Sequence, residues 1–157
     1  MVKYKGERRV GPMLVICPEH AVLAPEENVI YQALAISHWN APIFVLGGSS
    51  WPEGLEPYQE DYVNSLEAVT EKEKSIWLRC GSSVSDLEVG TRMLIRHRTF
   101  RDACSGDRFG VSVCGAYTEA HVRRVVELLH QSGIDALIHS VSIAYADINP
   151  GAVRALS

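Results

Sequence analysis

Short uninterrupted apolar runs punctuate this chain of 157 residues, and between them apolar residues recur every three or four positions. Met13-Leu14-Val15-Ile16-Cys17, stopped by Pro18, has no polar face, the pattern of a strand covered on both sides. Val29, Ile30, Ala33, Leu34 and Ile36 recur at helical spacing until Asn40 and Pro42 break the pattern. Ile43-Phe44-Val45-Leu46 before Gly47-Gly48 is a second buried strand, so the chain begins as βαβ. Residues 75–79 and 91–96 read as further strands, the latter passing through Met93-Leu94-Ile95 into the cluster Arg96-His97-Arg98. Residues 109–114 form another apolar run, ended by Gly115. From Thr118 the positions Val122, Val125, Val126 and Leu129 are helical, with Thr118 as N-cap and Gly133 as stop. Residues 136–139 make the next strand, and a short helix is predicted over 151–156. Strands alternating with helices predict one α/β domain over residues 13–157 behind a tail of residues 1–12. Its expected form is a three-layer sandwich with a mostly parallel sheet and right-handed crossovers.

Residues 48–74 interrupt this regularity with Trp51, Pro52, Gly54 and Pro57, and carry seven acids against two lysines. One helical stretch is expected near 63–69. A structureless segment of that length is usually a lid or an interface, but the charge pattern fits a solvated acidic helix and turn better.

Composition changes the picture little: 46 % hydrophobic and 22 % charged residues are ordinary for a globular domain. A formal charge of -4 and a pI near 5.8 argue against nucleic acid, because phosphate binding needs a basic surface. No apolar run approaches the ~20 residues that span a bilayer, and no apolar stretch precedes the first strand as in a signal peptide. A cytoplasmic protein without a membrane segment is expected. Cys17, Cys80, Cys104 and Cys114 form no CxxC pair, so reduced thiols are expected.

In open parallel sheets, sites form beyond the carboxyl ends of the strands. Three such predicted ends carry reactive side chains: Cys17-Pro18-Glu19-His20, Arg96-His97-Arg98, and Gly115-Ala116-Tyr117-Thr118-Glu119-Ala120-His121. The last of these, with the Gly133-Ile134-Asp135-Ala136 segment that follows it, resembles the Gly-x-x-Thr-x-x-Cys helix start and the later strand of the isochorismatase-like cysteine hydrolases. The resemblance covers roughly residues 13–147, ending on a loose match at Tyr145-Ala146-Asp147. It implies an isochorismatase-like sandwich, a small-molecule ligand and a homo-oligomer. The family's catalytic Asp, Lys and Cys positions fall on Cys17, His97 and His121, so none of its trio is kept.

Three readings of these residues are open. Nucleophile and base have exchanged places, Cys17 being activated by His121 or His97 with Glu19 as orienter. Alternatively, Cys17, His97 and His121, with His20 as substitute, are the ligand set of a catalytic zinc, although no local spacing supports a metal site and no cofactor is expected. Or Cys17 is a small buried hydrophobe and the histidines are satisfied polar residues. As an enzyme the chain would hydrolyse a small amide, ester or vinyl ether. As a catalytically silent family member it would bind a small molecule or act as a partner subunit. Glu19, His20, Arg96, Arg98, Tyr117 and Thr118 are the expected ligand-binding residues. A flavodoxin-like or nucleotide-binding domain is disfavoured, since no Gly-x-Gly-x-x-Gly follows a strand.

Overall fold

A computed structural model describes residues 11–72, 74–105, 110–115 and 118–138. Among them are five strands, β1 (Met13–Ile16), β2 (Ile43–Leu46), β3 (Ile76–Leu78), β4 (Val111–Gly115) and β5 (Ala136–Ile138). They form one sheet in the order β3-β2-β1-β4-β5, and every pairing is parallel. Met13–Ile16 and Ile43–Leu46 are buried throughout because strands on both sides and helices on both faces cover them, which is why neither run has a polar alternation. β3, at one edge, is only half-buried.

The helices are α1 (Pro18–Ala21), α2 (Glu26–Ser37), α3 (Pro57–Thr70), α4 (Val84–Arg96), α5 (Arg98–Ser105) and α6 (Glu119–Gln131). The α2 and α3 helices pack together as one layer, and Tyr62 of α3 donates a buried hydrogen bond to Gln32 of α2. On the other face α4 packs against α6. There α5 sends Phe100 edge-on against Phe44 of β2, ring centroids 4.9 Å apart. The expected three-layer α/β architecture is therefore present, with a sheet that is parallel in all its described strands. No described helix is long and apolar enough to cross a membrane.

Two local expectations are corrected. Residues 91–96 are the end of α4, not a strand. Its buried positions Leu87, Gly90, Thr91 and Leu94 keep the three-and-four spacing of a helix face, and Ser83 caps the start by accepting a hydrogen bond from the Asp86 amide at 3.0 Å. The acidic stretch holds a longer helix than expected: Pro57 sits in the first turn of α3, where a missing N–H costs nothing, and Glu56 with Gln59 forms a capping box. The predicted helix over 151–156, residues 1–10 of the tail and His139 lie outside the described residues.

Candidate functional site

The sheet order reverses direction between β1 and β4. From β1 the chain moves outward through β2 to β3, and α4 and α5 then carry it back across the other face to β4. At such a reversal the connections of the two strands lie on opposite faces of the sheet, and the carboxyl ends of β1 and β4 are where open parallel sheets form their sites. Gly115 makes the closest approach there: at φ +108 its backbone lies so near β1 that a Cβ would come within 2.1 Å of the Ile16 carbonyl oxygen.

Cys17 ends β1 in the left-handed conformation, φ 48 and ψ 54, uncommon for a residue with a side chain. That kink starts α1 with Pro18 in the first turn, burying Glu19 and leaving His20 half-buried. Glu19 Oε1 accepts the Gly48 amide hydrogen at 2.8 Å, tying the β1 turn to the β2 turn. A Cβ on Gly47 would meet that oxygen at 2.9 Å and the Cys17 Cα at 3.1 Å, so the contact requires glycine. Burial pushes the Glu19 carboxyl above its ordinary range, while hydrogen bonds from its own backbone and from Gly48 pull it back.

His121 lies in the first turn of α6. Its Nδ1 is 2.7 Å from Thr118 Oγ1, and the same oxygen accepts the His121 amide hydrogen at 3.4 Å. The Thr118 hydroxyl can donate to Nδ1 or accept from it, the direction following the ring tautomer. Ser82, in the loop between β3 and α4, joins the two histidines. Its Oγ is 3.1 Å from His20 Nε2, and its backbone is hydrogen-bonded to His121. Burial lowers the His20 pKa, and the nearby His121 lowers it further. Burial also lowers that of His121, partly offset by the bond to Ser82. In both rings burial therefore favours the neutral form.

The structure brings Cys17, Glu19, His20, Thr118 and His121 to one edge, but not His97, Arg96 or Arg98. Helices of a parallel α/β sheet run back against the strands, so the end of α4 lies at the amino edge. Ile95 there shares a cavity of about 370 Å³ with Gly110 and Asp135, which precede β4 and β5. His97 is an exposed C-cap between α4 and α5, flanked by exposed Arg96 and Arg98. The Cys17–His97 pair and the zinc set of Cys17, His97 and His121 are therefore not assembled, and no three His, Cys, Asp or Glu among the described residues are grouped to hold a metal. Tyr117 lies outside the described residues. The Cys17 thiol is fully buried, and burial, Glu19 and Cys80 all push its pKa up; Cys80 is pushed up to about 11 by burial and by Glu19 and Asp86. Neither thiol supplies the thiolate that nucleophilic cysteine needs.

Sequence reading missed Ser82 and the rim beside it. Trp77 donates its indole N–H to the Gly47 carbonyl at 2.8 Å and meets Trp51 edge-on at 6.1 Å. Arg79 donates to the Gly48 carbonyl at 3.0 Å with its guanidinium 4.0 Å over the Trp77 ring. The available signal was the Ser83-to-Asp86 spacing, a helix start that places residues 79–82 on a strand-to-helix loop at this edge. Comparisons with protein families, with curated proteins and with solved structures find no match to this chain.

Proposed function

We propose that this chain binds a small polar molecule at the carboxyl ends of β1 and β4, with His20, Ser82 and His121 as the recognising groups. One observation carries the reading: a run of hydrogen-bonded polar groups, Thr118 to His121 to Ser82 to His20, stands where the sheet order reverses, with the buried Glu19 next to His20 in the chain. Neutral imidazoles offer a donor and an acceptor without the desolvation cost of a charge, which suits amide, ester and carboxyl groups. This is the binding alternative to the isochorismatase-like hydrolase; what supports that family is the parallel sheet and the arrival of Cys17 and His121 at one edge. The expected self-association has its support in α2, where Ile30, Tyr31 and Leu34 are exposed.

Hydrolysis is a second reading, favoured by the 3.1 Å contact of Ser82 Oγ with His20 Nε2, a hydroxyl beside a neutral base. Ser82 Oγ would bond to the carbonyl carbon of an ester or amide while its proton passes to Nε2. That proton then leaves with the alcohol or amine, and water releases the acyl group from Ser82.

The Cε1–H resonances of His20 and His121, followed by NMR, test the binding reading. Both are expected to titrate below the ordinary value of about 6.5 and to move saturably with acetamide or acetate. Resonances that answer to neither probe refute it. Turnover of p-nitrophenyl acetate that is lost in Ser82→Ala and kept in Cys17→Ala supports the second reading; equal rates in all three proteins refute that one.

A further inference from the structure

We infer that the ligand of this edge is an anion, with its carboxylate or phosphate held by the Arg79 guanidinium. The inference rests on the binding site proposed above and names the charge of what enters it. Among the described residues, the loops leaving the carboxyl ends of the strands contain one permanent cation, Arg79. Its guanidinium is fixed on two sides, by the hydrogen bond to Gly48 and by the face of Trp77, and Trp77 is itself pinned to Gly47. A cation ordered before the ligand arrives loses little rotamer freedom on binding it.

That guanidinium has capacity left. Arg98, Arg123 and Arg124 each face a carboxylate, whereas none of the described carboxylates forms an ion pair with Arg79. The hydrogen bond to Gly48 uses Nη1, leaving the Nε–Nη2 edge as a planar two-donor fork of the kind that matches a carboxylate or phosphate. The N-termini of α4 and α6 are already occupied, the first by Ser83 and Asp86 and the second by Thr118.

The fork stands in a set relation to the histidines. Gly48, which accepts from Arg79 at its carbonyl, donates its own N–H to Glu19, the neighbour of His20. Ser82 follows Arg79 by three residues, so their Cα atoms lie within about 10 Å. On this inference a small acid places its charge on Arg79 at the same edge as His20, Ser82 and His121. A purely structural Arg79 would brace the Gly47–Gly48 turn without making binding depend on ligand charge.

The discriminating experiment titrates the full chain with acetate, inorganic phosphate and the neutral isostere acetamide, following tryptophan emission together with the His20 and His121 resonances. Acetate is expected to bind about tenfold more tightly than acetamide, the size of one charge-assisted hydrogen bond. Arg79→Gln should lower acetate affinity to that of acetamide, and Arg79→Lys should restore only part, because a point charge lacks the fork. Acetate binding no tighter than acetamide to the unaltered protein overturns the inference, as does a preference that survives Arg79→Gln. The comparison on the unaltered protein decides the matter even where a variant fails to fold. Histidine resonances that respond equally to acetate and acetamide sink the anion and keep the binding site. Histidines silent to both probes, with tryptophan emission still reporting acetate through Arg79, keep the anion and refute the histidine-centred site.

Discussion

Gly115→Ala puts the close approach of β4 to β1 under the most direct test. Two costs are expected. The first is conformational: φ +108 is open to glycine and strained for alanine, at about 1–2 kcal/mol. The second is steric. The new Cβ would lie 2.1 Å from the Ile16 carbonyl oxygen and 2.7 Å from the Ile16 nitrogen, where carbon–oxygen contacts normally begin at about 3.3 Å. Both atoms belong to the backbone of a strand paired in register with Gly115, so no side chain can swing away. β1 and β4 must separate locally, an overpacking penalty of about 1–3 kcal/mol together with weakened ladder bonds. The sum is roughly 3–5 kcal/mol. Gly133→Ala is the matched control, because Gly133 also has positive φ, +81, but nothing lies within 4 Å of the added atom. Thermal and urea unfolding of the two variants measure the difference. For a chain of this size each kcal/mol moves Tm by about 2–4 °C, so Gly115→Ala should melt roughly 10 °C low and Gly133→Ala about 4 °C low. Equal losses in the two variants would refute the close approach of β4 to β1.

Glu19 and Cys17 give two further tests. Burial raises the Glu19 pKa in the folded chain, so the folded state holds its proton more tightly. Its contribution to stability is present below the unfolded value near 4.3 and is lost as pH rises through the folded one. Glu19→Gln, which keeps an oxygen for the Gly48 amide, should remove that decline, and urea unfolding between pH 4 and 8 that declines as steeply as in the unaltered protein would refute the assignment. Cys17, fully buried with its thiol pushed upward, should resist iodoacetamide at neutral pH and react readily once the chain is unfolded. Peptide mass spectrometry reads this directly, and native labelling as fast as in urea would contradict it.

Most of the fold was legible because its signals are local. The runs at 13–16 and 43–46 have no polar face in the sequence and are buried in the structure. Thr118 was readable as a cap and accepts from His121. The region 91–96 misled because Met93-Leu94-Ile95 is strand-like over three residues, whereas the helical face is visible only from Leu87 onward. That single misreading displaced a third of the expected catalytic set: placed on a strand, His97 stood at the carboxyl edge, and placed on a helix end it stands at the opposite one. Cys17 and His121 fell together because each follows directly from a strand whose direction was read correctly. Ser82 and Arg79 carry no sequence signature of their own; their place depends on the loop from β3 passing over β2 and β1, which only the strand order reveals.

The sheet order also bears on how the molecule is assembled. Among the described strands β1 is the central one and the first in sequence, yet its partner β4 arrives about 100 residues later, Met13 facing Ser112. No parallel pair here can be closed by a tight hairpin; each waits for a crossover to be made. The β1–β4 pairing is therefore the most distant closure among the described strands and belongs to the slow class of folding steps. Because the site lies on that seam, His20 and His121 meet only when the β1–β4 pairing is formed, and recovery of their contact through Ser82 should follow that long-range closure and not the earliest phases of folding.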